Sequence, residues 1–180
     1  MKPLLPTPSH TVGPFYGHAL PFPGGGDVAP PGHPDAFTLH GYVYDGRGAP
    51  VPDAIVECWQ AAPDGSLAGE PGSMRRNGVG FTGFGRVPTD PDGHYTLRTL
   101  PPGAPAIPYI SLCVFARGLT HHLFTRAYLS PAPDALLASL EPERRATLIA
   151  QPEPHRTHRF DIRLQGEGET VFLDFARHDA

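Results

Sequence analysis

The stretch from Leu39 to Gln60, LHGYVYDGRGAPVPDAIVECWQ, constrains the fold more than any other part of the chain. Leu39, Gly41 and Val43 alternate with His40, Tyr42 and Tyr44, and Ala54, Val56 and Cys58 alternate with Ile55, Glu57 and Trp59. A period of two sends successive side chains to opposite faces, which suits a half-buried antiparallel strand and not a helix. Asp45-Gly46-Arg47-Gly48 supplies a turn. Pro50 and Pro52 have no N–H to give to a ladder, so the second strand begins only near Asp53.

The same punctuation continues on both sides. Gly and Pro make 45 of the 180 residues (21 and 24), but they separate apolar runs instead of forming blocks, which reads as many turns and hence all-β. Residues 1–38 carry Pro3, Pro6, Pro8, Pro14, Pro21, Pro23, Pro30, Pro31 and Pro34, so neither a long helix nor a central strand persists there, and the segment reads as an arm on a domain of residues 39–180. Within it, Thr7 to Tyr16 mixes hydroxyls, a Gly-Pro and two aromatics. That composition suits a segment lying over a partner or a pocket, and equally an extended tail.

Downstream, Ala61–Phe81 is a polar, Gly-rich excursion, and loops of that length in a compact domain are usually functional or disordered. Thr82–Thr89, the turn Asp90-Pro91-Asp92-Gly93 and His94–Leu100 predict a second hairpin, ended by Pro101-Pro102-Gly103. Tyr109–Ala116 is apolar on both faces and predicts the central buried strand, and Leu123–Leu129 another. Asp134 caps a short predicted helix through Leu140, and Pro142 starts a second running to about Ile149. Arg159–Leu164 and Val171–Phe175 alternate around Gln165–Thr170 and predict a third hairpin. About eight strands and short helices near 134–149 make an antiparallel β-sandwich.

A formal charge of −4 with no run of Lys or Arg argues against nucleic acid and against an anionic membrane surface. A small molecule or another protein is the expected partner. Cys58 and Cys113 are too few for a disulfide framework and fall in apolar strand patterns, where a thiol packs as a small hydrophobe. The first residues, MKPLLPTPSH, show no apolar signal region, and no run approaches the ~20 residues of a membrane span, so a cytoplasmic location is expected.

Ten histidines invite a metal reading that the spacing does not support. His121 and His122 are adjacent and in a strand would point to opposite faces. His155 and His158 sit in a Pro-rich linker without carboxylate or Cys company, while His10, His18, His33 and His40 are scattered and read as solvated. No phosphate loop, nucleophile elbow or dinucleotide fingerprint occurs. Arg117 stands where the buried strand emerges; its planar fork matches a carboxylate bidentately, or serves as a structural salt bridge.

Gly85-Arg86 through Pro102-Gly103, with Phe115-Ala116-Arg117-Gly118, resembles the core of the intradiol ring-cleaving dioxygenases. Thr7-Pro8-Ser9, Thr11, Gly13-Pro14-Phe15, Val56–Gln60 and Arg159–Phe172 resemble, more narrowly, the alpha chains of two-chain members of that family. The resemblance spans nearly the whole chain. It implies a transthyretin-like β-sandwich that pairs with a homologous beta chain, with the site at their interface and several alpha-beta units in the oligomer. The implied substrates are 3,4-dihydroxybenzoate (protocatechuate) and O2.

Catalytic chains of the family hold Fe(III) with two tyrosinates and two histidines. The first tyrosine position falls here near Leu67, the second on Ala104-Pro105, and the His-x-His on Tyr109-Ile110-Ser111. The resemblance therefore implies lapsed ligands at Leu67, Pro105, Tyr109 and Ser111, with iron on the beta chain and no catalytic residue on this one. It also implies that Thr11, Gly13, Pro14, Phe15 and Arg117 wall the partner's substrate pocket, with Phe15 where a tyrosine is more usual. The rival reading is a transthyretin-like binding or stalk module, since Asp-x-x-Gly-x-Tyr-x-Leu before Pro-Gly occurs there too; that module lacks the arm and the C-terminal match.

Overall fold

The structure, a computed structural model, describes residues 7–13, 15–67, 74, 76–103 and 108–175. In chain order these form α1 (Tyr16–Ala19), β1 (Phe37–Tyr44), β2 (Ile55–Trp59), β3 (Phe84–Pro88), β4 (His94–Thr99), β5 (Tyr109–Phe115) and β6 (Leu123–Tyr128). Then follow α2 (Ala135–Ser139), α3 (Pro142–Ala146), β7 (Gln151–Glu153), β8 (Thr157–Arg159) and β9 (Ile162–Arg163). One sheet has the order β3-β2-β5-β6 and the other β4-β1-β8-β7, with β9 also on β1. Leu39, Val43, Tyr95 and Leu97 of the second sheet and Val56, Ile110, Leu112 and Val114 of the first share one buried cluster, so the fold is the expected sandwich.

β1 to β6 lie where the period of two places them, but the pairing differs from the hairpins expected. β1 and β2 enter opposite sheets, as do β3 and β4; β1 pairs with β4, and β2 with β3 and β5, all antiparallel. Alternation identifies the inward face of a strand but not which strand stands beside it, and both connections carry the chain across the core. Thr89 holds one crossing: its hydroxyl donates to the Val51 carbonyl at 2.7 Å and accepts the Ala54 N–H at 3.0 Å.

The C-terminal hairpin is not formed either. β9 is two residues long, and Val171–Phe175 meets β6 at a single bridge, Phe124 with Leu173. β8 and β9 instead run parallel to β1, one after the other, with Phe160 and Asp161 bulged between them. Gly41 permits this: a Cβ there would overlap the Phe160 carbonyl oxygen. The Phe160 N–H donates to the His40 carbonyl (2.7 Å) and the Tyr42 N–H to Asp161 Oδ1 (3.1 Å).

The region of His155 and His158 is a tight β7–β8 hairpin, not a linker. His155 (φ 62°) and Arg156 (φ 57°) hold left-handed conformations at its tip, so no glycine marks the turn. The two short helices fall as predicted, with the Asp134 carboxylate accepting from the Leu136 and Leu137 N–H groups and Pro142 in the first turn of α3.

Candidate functional site

β5 runs between β2 and β6 and buries Ile110, Leu112 and Val114 against the other sheet. It ends in a turn at Arg117-Gly118, where Gly118 takes φ 96°. The arm is fastened at this turn, because the Gly118 N–H donates to Thr11 Oγ1 at 2.7 Å. Arg117 Nε lies 3.0 Å from Asp53 Oδ2, on the approach to β2, while its side chain stays 58 % exposed. One edge of the guanidinium is thus tied to the turn before β2, and more than half of the side chain remains exposed.

Beside the turn is a cavity of about 140 Å³, walled by His10 and Val12 of the arm, Phe115 and Ala116 of β5, and His121 and His122. The expectation that His121 and His122 point to opposite faces does not hold. They precede β6 in irregular backbone, where strand alternation has no force, and both line this cavity. His122 packs edge-on to Phe124 with ring centres 4.6 Å apart.

α1 lays Tyr16 against Phe115, ring centres 5.3 Å apart. Behind it Arg86 Nη2 and Glu57 Oε1 meet at 2.6 Å, both largely buried. Burial raises the Tyr16 phenol above its ordinary value, the Glu57 carboxylate adds to this, and Arg86 opposes it. Gly13 adopts φ 76°, a conformation that suits glycine, and Phe15 is 80 % exposed. Pro14 lies outside the described residues.

Two of the four positions expected to be lapsed metal ligands, Tyr109 and Ser111, lie on β5. Tyr109 and Ser111 both face outward, Ser111 registered with Trp59 of β2 and Arg126 of β6. The Arg126 guanidinium sits 4.0 Å above the Tyr109 ring centre, 3.3 Å from the Tyr128 hydroxyl and 3.6 Å from Asp134. Leu67 is an exposed hydrocarbon with no donor atom, and Pro105 lies outside the described residues. The two expected ligand positions on this face thus offer one phenol and one hydroxyl beside a fixed cation, a set that does not fit a ferric ion. Among the described residues no group of three or more His, Cys, Asp or Glu is placed to hold a metal. Cys58 and Cys113 are free and buried, and burial pushes both thiols up to about 12.

Among the expected wall residues, the structure brings Thr11 and Arg117 to one turn and leaves Phe15 projecting. Sequence reasoning missed the hydrogen bond from Gly118 to Thr11 and the capping of Tyr109 by Arg126. Neither has a local signal: they join positions 107 and 17 residues apart. His40, read as solvated, bonds His94 at 3.0 Å and Glu153 at 2.9 Å.

A profile of the family described as dioxygenase matches residues 25–122. The protocatechuate 3,4-dioxygenase alpha chain of Pseudomonas putida is 39 % identical over 96 % of this chain and 98 % of its own. That of Burkholderia cepacia is 37 % identical over 97 % of this chain and 100 % of its own. Among solved structures, the dioxygenase domain of a dioxygenase carbohydrate-binding fusion from Streptomyces sp. SirexAA-E covers 89 % of this chain and 99 % of its own, at TM-score 0.59 and 25 % identity. Catechol 1,2-dioxygenase from Pseudomonas arvilla C-1 shares the fold at TM-score 0.54 and 21 % identity, covering 78 % of this chain and 55 % of its own.

Proposed function

This chain belongs to the dioxygenase family, with the protocatechuate 3,4-dioxygenase alpha chains, and on that premise we propose that it is the non-catalytic subunit of an intradiol dioxygenase opening protocatechuate. Ferric iron sits on a homologous beta chain. O2 is inserted between the two hydroxyl-bearing carbons of the ring to give 3-carboxy-cis,cis-muconate. This chain supplies the pocket wall: Thr11, Gly13, Pro14 and Phe15 from the arm and Arg117 from the turn after β5. Several alpha-beta units assemble in the cytoplasm; no described helix is long and apolar enough to cross a membrane.

The observation that carries this reading is the Thr11 to Gly118 hydrogen bond, which docks the arm on the turn bearing Arg117 and leaves more than half of that side chain exposed. A planar fork so placed favours the carboxylate of protocatechuate through charge-assisted hydrogen bonds. The donor set around Tyr109 and Ser111 agrees, since it gives this chain no ferric site of its own.

Co-expression with the homologous chain and assay of ring cleavage tests it. Arg117→Ala is expected to cost on the order of 1.5 to 3 kcal/mol, roughly tenfold to a hundredfold in kcat/KM for protocatechuate. Arg117→Lys recovers only part, because a point charge cannot form the fork. Catechol, which lacks the carboxylate, is the control: equal losses on both substrates, with assembly and iron intact, would make Arg117 structural through its Asp53 pair.

A further inference from the structure

The outer face of the β4-β1-β8-β7 sheet carries a row of four ionisable groups that the proposed function does not use. Glu153 Oε2 on β7 lies 2.9 Å from His40 Nε2 on β1. His40 Nδ1 lies 3.0 Å from His94 Nε2 on β4, and His94 Nδ1 lies 3.9 Å from Asp90 Oδ2 in the turn before β4. The imidazole centres are 5.2 Å apart. That exceeds the nitrogen separation by about two ring radii, so the two nitrogens point along the line joining them. In-line lone pairs share a proton; a metal ion would need them to converge from the side.

Counting hydrogens along the row sets its capacity. Glu153 accepts from His40 Nε2–H. With both rings neutral, His40 Nδ1 is then bare and accepts from His94 Nε2–H, which leaves His94 Nδ1 bare toward the Asp90 carboxylate. One added proton fills that place, within ion-pair reach of the Asp90 carboxylate. A second would set two N–H groups head to head across 3.0 Å.

Surrounding charges do not alter this count. Arg159 of β8 is held by Asp161 through two nitrogens, Arg98 of β4 pairs with Asp27 at 3.7 Å, and Tyr42 of β1 packs on His94 with ring centres 4.9 Å apart.

We propose that His40 and His94 bind one shared proton between Glu153 and Asp90, and that this proton clamps the β7–β8 hairpin to β1. β7 is a three-residue exposed edge strand whose ladder is with β8 alone, and Pro152 in it has no N–H. The Glu153 to His40 bond reaches over β8 to the strand beyond it. The carboxylate already makes it charge-assisted, and the shared proton adds a cationic donor, so that the bond becomes an ion pair.

The test is an NMR titration of the full chain with labelled histidine rings, from about pH 8 to pH 5. Both rings are expected to follow one curve, and His94→Gln to leave total proton uptake over that range unchanged. Separate curves, or a loss of one proton in His94→Gln, would overturn the shared site. Glu153→Gln keeps the shape of the acceptor without its charge and is expected to shift the midpoint to lower pH; an unmoved midpoint would count against the row. Amide exchange in Gln151–Arg159, compared between the wild type and Glu153→Gln at each pH, reads the clamp. The advantage of the wild type is expected to grow several-fold as pH falls through the midpoint, and a ratio independent of pH would overturn the clamp. None of these readouts depends on ring-cleavage activity, so they fail or hold separately from the dioxygenase reading.

Discussion

Tyr95 shows how a single side chain can carry the junction between two strands. Its hydroxyl, fully buried, donates to the Phe160 carbonyl at 2.6 Å, at the bulge that lets β8 and β9 both pair with β1. Burial raises the phenol well above its ordinary value, so it remains a donor at every working pH. Tyr95→Phe leaves that carbonyl unpaired in the core, and urea unfolding is expected to register a loss of about 1 to 3 kcal/mol. His158 presents the converse case, with its Nδ1 buried without a hydrogen-bond partner and its ring edge-on to Phe37, centres 5.3 Å apart. Burial lowers its proton affinity below the ordinary histidine value, so the folded chain favours the neutral ring. The unfolded chain then binds more protons. The stability this gives is complete above the unfolded value of about 6.5 and is lost as pH falls below it, until the folded ring is itself protonated. Denaturant midpoints at pH 7.5 and 5.5 should therefore diverge less in His158→Gln than in the wild type. The alternation of β8 names its faces once its strand state is known, but nothing near His158 announces that state, because His155 and Arg156 make the turn without glycine.

Elements of this fold are held more by what crosses between them than by their own length. α1 has four residues and buries none, and β9 has two. Helices this short have no stability of their own, so α1 depends on Tyr16 against Phe115 and on Arg86 donating to the Leu20 carbonyl at 3.3 Å. The arm ahead of α1 is fastened at Thr11, and its Phe15 side chain projects 80 % exposed. A Pro-rich segment loses less chain entropy when it docks. Removal of residues 1–16 is therefore expected to weaken assembly with the homologous chain or lower kcat/KM of the complex. Co-purification and steady-state kinetics decide it, and a truncated complex of unchanged yield and activity would leave the segment a tail.

At the scale of the whole molecule, the chain keeps the family's sandwich, and the outer face of β5 carries Tyr109, Ser111 and the guanidinium of Arg126. Arg126 stacked on Tyr109 and paired with Asp134 puts a positive charge beside two of the expected lapsed positions, and Ser111 brings only a hydroxyl. The chain expressed alone is accordingly expected to be colourless and to carry no stoichiometric iron, by visible absorption and metal analysis. The complex with its homologous chain is expected to show the visible absorption of tyrosinate bound to ferric iron. A coloured, iron-loaded isolated chain would overturn the lapsed-site reading.

The sequence by itself determined β1 to β6 and their inward faces, the capped helix at Asp134, the helix start at Pro142, and the family, because each is written in neighbouring residues: a period of two, a cap, a turn, a motif. The place of Arg117 just after β5 was legible for the same reason, since it stands at the end of an apolar run. Pairing was not legible, since period-two alternation is satisfied equally by a partner in the same sheet and by one across the core, and only packing at Thr89 and Gly41 chooses. Tertiary structure alone brought Thr11 to Gly118, Arg126 over Tyr109, and Glu153, His40, His94 and Asp90 into one row, because hydrogen bonds and charges act across a few ångströms of space whatever the separation along the chain.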